Sequence, residues 1–189
     1  MKRTKRILCI VLSVIMLLTI LPINSMAIPK MDLGGTCGDN LTWTLDDEGT
    51  LTISGTGVMT NYSSYQNVPW YSVRSSVTSV VINSGVTTIG YQAFRNCVNL
   101  SSVTLGNGIA TIGDYTFYDC QNLENVYISD LASWCNIDFT SYRSNPMYYA
   151  DNLYLDEELI TDLVIPDGVT RIPVYAFNGC SSIVCVKIP

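Results

Sequence analysis

The chain repeats itself between Val77 and Leu123, and this repetition limits the possible folds more than any other feature. When the copy that begins at Val80 is aligned with the copy that begins at Val103, the apolar, glycine and cysteine positions coincide, as in the pairs Val80/Val103, Ile82/Leu105, Val86/Ile109, Ile89/Ile112, Gly90/Gly113, Phe94/Phe117, Cys97/Cys120 and Leu100/Leu123. A fixed period of about 23 residues predicts a solenoid, in which each unit buries its apolar face against its neighbours.

The repeat returns near the end of the chain after an interruption. When Leu163 is aligned with Val80, the pattern of the first copy is formed again by Leu163, Ile165, Val169, Ile172, Ala176, Phe177, Cys180, Ile183, Val186 and Ile188. The distance along the chain from Val80 to Leu163 is longer than three periods, and the excess is about 14 residues. The sequence therefore predicts an insertion of that length at about residues 129–160.

Each repeat is predicted to contain a short strand and a turn. Val103 and Leu105 alternate with polar residues, which indicates a strand that pairs in parallel with its equivalents in neighbouring coils. A second extended piece is expected around Ile89 and Ile112. The spacing within Tyr91–Cys97 predicts a single helical or 3₁₀ turn on the opposite face.

The insertion is expected to have structure of its own. Leu131 and Trp134, three positions apart, predict a short helix, and residues 141–149 are predicted to form a polar loop. Residues 153–160 indicate a hairpin around the acidic residues 156–158.

Residues 1–27 have the pattern of a secretory signal peptide. A basic start precedes an apolar run from Ile7 to Leu21, and a small-x-small site follows at Ser25–Ala27. An uncleaved anchor is the alternative, but the run is shorter than the roughly 20 residues that span a bilayer. Cleavage predicts a secreted or cell-surface protein with no stable membrane span.

Residues 28–76 are predicted to form a tether and a cap for the solenoid. Two alternating segments, Leu41–Leu45 and Leu51–Ile53, flank the turn Asp46–Gly49 and indicate a β-hairpin. Trp43 and Trp70 would cover the apolar end of the first coil of the solenoid, which is predicted to span residues 77–189. The acidic turn could also suggest a calcium loop, but it lacks the spaced ligands and distal glutamate of one.

Charge and composition exclude several classes of function. Removal of the four basic residues of the leader changes the formal net charge from −6 to −10, which argues against a nucleic-acid partner. The chain contains no histidine, so Ser-His-Asp and Cys-His catalysis and histidine-ligated metals are excluded. No nucleophile–base pair is visible, and we predict no enzyme activity, no metal and no cofactor.

The cysteines allow two interpretations. The chain beyond the leader has an even number, which would suit disulfides: Cys37, Cys97, Cys120, Cys135, Cys180 and Cys185. However, Cys97, Cys120 and Cys180 share one repeat position, where parallel Cβ directions give poor disulfide geometry. This favours a ladder of small buried thiols.

The last residues begin a further strand at Val184–Ile188 without a polar cap. Such an apolar edge would be prone to aggregation if it were left open. We therefore expect the solenoid to continue beyond this chain end, with a partner at that edge as the alternative.

The repeat pattern I-G-x-x-A-F-x-x-C-x-x-L-x-x-V-x-[IL] resembles the BspA-like (Treponema-type) leucine-rich repeat of bacterial surface proteins. It begins at Ile89, again at Ile112, and a third time at Ile172, with Thr116 in place of alanine and Pro173 in place of glycine. The resemblance implies a solenoid of short parallel strands with short helical or 3₁₀ turns. It also implies an adhesion or protein-binding function at the cell surface, where members bind other proteins; a carbohydrate-binding or targeting module of a larger secreted enzyme is the alternative.

Two sets of residues are candidates for binding an extracellular protein or glycan. The first comprises the outward residues of the predicted strands: Ser79, Val81, Asn83, Ser102, Thr104, Asn125, Tyr127, Ser129, Asp162 and Val164. The second is aromatic and comprises Tyr115, Tyr175, Tyr142, Tyr148 and Tyr149. The first set could equally be a solvated face, and the second could simply cover the edge of the core.

Overall fold

The computed structural model of the chain describes residues 33–189, and the predicted signal peptide lies outside these residues. The described residues contain short strands, which in chain order are β1 (Leu33–Gly38), β2 (Leu41–Leu45), β3 (Thr50–Gly55), β4 (Gly57–Val58), β5 (Ser79–Ile82), β6 (Val86–Ile89), β7 (Ser102–Leu105), β8 (Thr111–Ile112), β9 (Asn125–Ile128), β10 (Asp138–Phe139), β11 (Asn152–Leu155), β12 (Glu158–Leu159), β13 (Asp162–Val164) and β14 (Cys185–Lys187). They also contain a helix, α1 (Leu131–Trp134), and 3₁₀ segments at Tyr65–Asn67, Tyr71–Ser76 and Pro146–Tyr148.

The predicted solenoid is confirmed by the strand order of the main sheet. This sheet has eight strands in the order β1-β2-β3-β5-β7-β9-β11-β12, and the strands from β3 to β11 run parallel. Val80 pairs with Val103, and Val103 pairs with Val126, which is the register that the repeat period requires. All three side chains are fully buried, so one apolar ladder runs through successive coils.

The second extended piece of each repeat forms a separate sheet. Its order is β10-β8-β6-β4, and Ile89 pairs with Ile112 in parallel. Both isoleucines are fully buried. The core of each coil therefore lies between this sheet and the main sheet.

The third side of each coil consists of consecutive tight turns. In residues 91–97, i→i+3 backbone hydrogen bonds join Ala93 to Gly90 and Cys97 to Phe94, as in a 3₁₀ helix. Gln92 and Asn96 have φ of 59° and 62°, which a helix does not allow. The predicted turn is therefore formed by separate turns rather than by a continuous helix.

The extra length near residues 129–160 is divided between two places. Asn125 pairs with Ser102 of the preceding coil and with Asn152 of the following one. More residues separate Asn125 from Asn152 than separate Ser102 from Asn125, so the third coil is longer than the coil before it. The antiparallel hairpin of β11 and β12 then separates this coil from β13. The predicted helix is present as α1, and its first amides donate to the Asp130 carboxylate, which caps it.

The predicted polar loop at 141–149 differs from expectation because part of it is buried. Ser144, Asn145 and Met147 have almost no exposed surface. The Asn145 side chain accepts a hydrogen bond from the Met147 amide and donates one to the Tyr175 carbonyl. The loop can be buried because its polar groups find partners within the protein.

The predicted N-terminal hairpin is formed by β2 and β3, and β1 adds a third antiparallel strand at residues that we expected to lie partly in the tether. Trp70 is fully buried, and its indole N–H donates to the Ala93 carbonyl at 2.9 Å. Its ring stacks on Phe94 at 5.5 Å, and Phe94 in turn stacks on Phe117 at 5.7 Å. Trp70 thus begins an aromatic stack that continues into the repeats.

Candidate functional site

The outward face of the main sheet bears an open groove of about 710 Å³. It is lined by Val81, Ile82, Asn83, Ser84, Thr104, Leu105, Gly106, Tyr127, Ile128, Ser129, Asp156 and Glu157. The parallel register explains this composition, because equivalent outward positions of β5, β7 and β9 lie side by side. We refer to this surface as the strand groove.

One outward row of the strand groove is aromatic at one end. Val81 pairs with Thr104, Thr104 with Tyr127, and Tyr127 with Tyr154. The rings of Tyr127 and Tyr154 stack with their centroids 4.7 Å apart. Stacked tyrosines give rigid, amphipathic contact area that loses little entropy on binding.

The hairpin between β11 and β12 adds negative charge to the strand groove. Asp156 and Glu157 form its turn with φ of 49° and 68°, and the Asp156 amide donates to the Ile128 carbonyl at 3.0 Å. This bond fixes the turn against β9. Since none of the described residues that line the groove is Lys or Arg, its electrostatic potential is negative at this end.

The outward residues predicted from the sequence are distributed over three places. The groove is lined by Val81, Asn83, Thr104, Tyr127 and Ser129. A neighbouring row of the same sheet holds Ser79, Ser102 and Asn125 in register. Asp162 and Val164 lie apart from both, in the two-stranded sheet of β13 and β14.

Several polar side chains of the neighbouring row already form hydrogen bonds within the protein. The Ser79 hydroxyl donates to Thr50 Oγ1 at 3.1 Å, and the Asn152 amide donates to Asn125 Oδ1 at 3.1 Å. Because these groups already pair across the coils, fewer of their hydrogen bonds remain for a ligand. The strand groove is therefore the better candidate on this face.

Sequence reasoning missed the acidic turn as part of the groove lining, and it missed Tyr154 as the ring that stacks on the groove residue Tyr127. Both tyrosines of the Tyr127–Tyr154 pair are visible in the sequence, but they are separated by more than the repeat period, so the period does not align them. The hairpin is visible in the sequence, whereas its contact with β9 depends on the length of the third coil.

The predicted aromatic residues all belong to a second surface, which lies on the turns of successive coils. Its members contact one another through ring–ring or ring–guanidinium contacts, and they are Tyr65, Tyr71, Arg74, Tyr91, Arg95, Tyr115, Tyr118, Tyr142, Arg143, Tyr148, Tyr149 and Tyr175. We call this surface the tyrosine–arginine ridge. It extends from the segment before the first coil to the last repeat.

Two guanidinium groups join the rings of the ridge. The Arg95 guanidinium carbon lies 5.0, 5.7 and 5.1 Å from the ring centroids of Tyr65, Tyr115 and Tyr118. The corresponding carbon of Arg143 lies 5.1 Å from the centroid of Tyr115 and 4.6 Å from that of Tyr142. These distances fall within the range of cation–π contacts.

Not every tyrosine of the ridge is available to a ligand. The Tyr149 hydroxyl accepts a hydrogen bond from the Asp119 amide at 3.0 Å, and burial raises the pKa of Tyr149. Tyr148 and Tyr175, by contrast, are 42% and 40% exposed. Tyr149 therefore has a structural role, and Tyr148 and Tyr175 present their rings to solvent.

The six cysteines of residues 33–189 are free thiols, as the repeat pattern favoured. Of the three that share one repeat position, Cys97 and Cys120 are buried as predicted, whereas Cys180 is only partly buried. The Cys120 thiol donates to the Phe94 carbonyl at 3.2 Å. Burial raises the pKa of Cys37 to about 11 and the pKa of both Cys97 and Cys180 to about 12. Burial also raises the pKa of Cys120 and Cys135. Because the thiolate is the reactive form, these groups are poor nucleophiles in the folded protein.

We expect Cys185 to react with iodoacetamide at mildly alkaline pH well before the other cysteines, because it is the exposed thiol of the described residues. The buried thiols of Cys97 and Cys120 should react only after local or global unfolding exposes them. Peptide mass mapping after timed quenching would measure each site separately, with a sample in urea as the fully reactive control. Equal rates at Cys97 and Cys185 in the native protein would contradict the buried ladder.

Residues 33–189 contain neither a metal-binding cluster nor a membrane-spanning helix. No group of three or more Cys, Asp or Glu side chains is arranged to hold a metal ion. None of the helices in this part of the chain has the length and hydrophobicity to cross a membrane.

Comparison with known proteins identifies the repeats. The family described as BspA type leucine rich repeat region matches residues 70–148 and 148–189, in six copies. A search of curated protein sequences finds no match.

Solved structures of leucine-rich repeat proteins resemble the chain at low identity. One from Eubacterium ventriosum is 23% identical with a TM-score of 0.47, and the match covers 84% of this chain and 40% of that one. One from T. pallidum is 19% identical with a TM-score of 0.34, covering 82% and 71%. A leucine rich cell surface protein from Faecalibacterium prausnitzii is 19% identical with a TM-score of 0.31, covering 82% and 54%.

This chain spans less than half the length of the Eubacterium protein. The family match includes both uninterrupted repeats, the lengthened coil and the last repeat. The chain belongs to the BspA type leucine-rich repeat family.

Proposed function

We propose that this chain is a secreted or cell-surface module that binds another protein through the strand groove. The observation that supports the proposal most directly is the in-register outward row that ends in the stacked Tyr127–Tyr154 pair. Solenoids of this kind use their extended strand faces for binding. Family membership and the predicted signal peptide support a location outside the cytoplasm.

The charge of the groove indicates the chemistry of the partner. Asp156 and Glu157 are acidic and line the end of the groove that contains the tyrosine pair. A partner segment with a Lys or Arg side chain beside an aromatic or aliphatic one would match both features. Complementary charge raises the association rate and disfavours acidic partners.

Replacement of Tyr127 or Thr104 by lysine is expected to weaken binding of a groove ligand by about tenfold or more, equivalent to about 1.4 kcal/mol. The lysine would replace contact area with a solvated side chain in the middle of the groove. The ligands would be peptides selected from a random displayed library against the full chain, and fluorescence anisotropy would give each dissociation constant.

Ala110→Lys is the matched control, because Ala110 is exposed and lies outside the groove-lining residues. It adds the same charge, so its affinity should stay within about twofold of the parent. Selected peptides should carry net positive charge. Selection of acidic peptides, or equal losses for Thr104→Lys and Ala110→Lys, would refute a role for the groove.

The tyrosine–arginine ridge favours a second candidate function, which is carbohydrate binding, as in a targeting module of a larger secreted enzyme. Its exposed tyrosine faces, particularly those of Tyr148 and Tyr175, support this candidate. The ridge and the groove lie on different parts of the coil, since one is built on turns and the other on strands. A single chain could therefore use both.

A further inference from the structure

We infer that the tyrosine–arginine ridge binds an anionic polysaccharide, with sugar rings against the tyrosine faces and carboxylate or sulfate groups on Arg143 and Arg95. This inference rests on the second candidate function and is independent of the strand groove. Three observations on the ridge lead to it.

The first observation concerns the charge state of the two arginines. Arg95 donates to the Gln92 side-chain oxygen at 2.9 Å, and Arg143 donates to the Tyr115 hydroxyl at 3.0 Å. Within the described residues, neither guanidinium forms an ion pair with a carboxylate. Both hydrogen-bond partners are neutral, so no paired carboxylate offsets the positive charge of either arginine, although the formal net charge of the chain is −6.

The second observation is an unsatisfied donor. The Arg95 Nε atom is buried and has no hydrogen-bond partner in the structure. Buried donors of this kind are rare in native proteins and call for an explanation. Guanidinium groups bind carboxylate and sulfate oxygens through paired N–H groups, so an anionic group that displaces one of the covering tyrosine rings would give this donor a partner.

The third observation is the spacing of the two cations. Both guanidiniums contact the same ring, at 5.7 and 5.1 Å from the Tyr115 centroid, so their separation cannot exceed the sum of these distances. A polysaccharide repeats its charged groups at intervals of the same order, and its sugar rings lie between them. The ring–cation alternation of the ridge therefore matches an alternation of sugar faces and anionic groups.

The acidic residues beside the ridge limit which anions can bind. Asp114 accepts hydrogen bonds from the Tyr115 amide and the Ser141 hydroxyl, and Asp119 lies in the same turn as Tyr118. Their charges oppose a general attraction of anions. Binding therefore needs the aromatic contacts as well as the cations, which favours a polysaccharide over a small free anion.

The test is binding of the full chain to defined oligosaccharides, measured by isothermal titration calorimetry. The probes are oligogalacturonate for carboxylate groups, chondroitin sulfate oligosaccharides for sulfate groups, and maltohexaose as the neutral comparison. We expect binding to at least one anionic probe, weakening as salt increases, and much weaker binding to maltohexaose. The two anionic probes distinguish a carboxylate ligand from a sulfated one.

Arg143→Gln is the informative variant, because glutamine removes the charge and keeps a polar side chain with N–H donors. Its affinity for the anionic probe should fall about tenfold or more. Arg171→Gln is the matched control, since Arg171 is an exposed arginine outside the ridge and should change affinity less than about twofold. Tyr142→Ala, which removes the ring under Arg143, should weaken binding to a similar degree as Arg143→Gln.

Absence of binding to both anionic probes would overturn the inference, as would equal losses for the Arg143 and Arg171 variants. Tighter binding of maltohexaose than of either anionic probe would also overturn it. Circular dichroism and the urea midpoint of each variant would separate a lost site from a lost fold. Binding of groove-selected peptides to Arg143→Gln should be unchanged, so failure here leaves the groove proposal standing, and the reverse also holds.

Discussion

Trp70→Ala is expected to lower the free energy of unfolding by about 3–5 kcal/mol, the range for large aromatic truncations in a core. Trp70 has no exposed surface and is surrounded by aromatic rings, with Trp43 at 5.8 Å, Tyr62 at 6.2 Å and Phe94 at 5.5 Å. Alanine would leave a cavity at the junction of the cap and the first coil. In a solenoid each unit is stabilised by its neighbours, so this loss affects the whole array.

Urea unfolding followed by circular dichroism would measure the change. Trp43→Phe serves as the control, because the Trp43 indole N–H is buried without a partner and its removal loses no hydrogen bond. The loss of stability for Trp70→Phe should lie between the losses for Trp70→Ala and Trp43→Phe, since Trp70→Phe keeps a ring but leaves the Ala93 carbonyl without the indole donor. Similar stability losses for Trp70→Ala and Trp43→Phe would show that Trp70 does not join the cap to the coil.

Gly55→Ala is expected to destabilise the protein by about 2–5 kcal/mol, because it combines backbone strain with overpacking. Gly55 has a φ of 110°, and a Cβ atom there would lie 2.0 Å from the Asn40 carbonyl oxygen. That oxygen belongs to the backbone next to β2, so it cannot move without disturbing the pairing of β2 and β3. The cap would then separate from the first coil.

Gly57→Ala isolates the strain from the clash. Gly57 has a similar φ of 107°, but nothing lies within 4 Å of the position that its Cβ would occupy. Its expected cost is about 1–2 kcal/mol, from the left-handed conformation alone. Thermal or urea unfolding of both variants gives the difference directly, and equal costs would show that the Asn40 backbone yields to the added methyl group.

Most of the fold could be predicted from the sequence, because the apolar period directly reports the register of stacked coils. Val80, Val103 and Val126 are core residues at a constant interval and pair as that interval requires. The cap hairpin and α1 were also predictable, since each depends on a local pattern of a few residues. Their prediction therefore requires no information about contacts between residues that are distant in the sequence.

The surfaces were only partly predictable, because they depend on how successive coils align. Five outward residues of the strand groove follow from strand alternation, but Asp156 and Glu157 reach it through the lengthened third coil. Of the ridge, the sequence indicated Tyr115 and Tyr175 by their shared repeat position and Tyr142, Tyr148 and Tyr149 by their place in the insertion loop. Arg95 and Arg143 were not predicted, because their contacts with tyrosines cross between coils.

The antiparallel strand β12 interrupts the backbone ladder of the solenoid. The main sheet ends at β12, and β13 pairs only with β14 within the described residues. The hydrogen bonds that cross this break are donated by side chains. The Trp134 indole N–H donates to the Ala176 carbonyl at 3.1 Å, and the Ser182 hydroxyl donates to the Ile160 carbonyl at 3.0 Å. We therefore expect residues 161–189 to open and close as a separate foldon while the preceding coils stay folded, so that their amides exchange faster than those of the preceding coils.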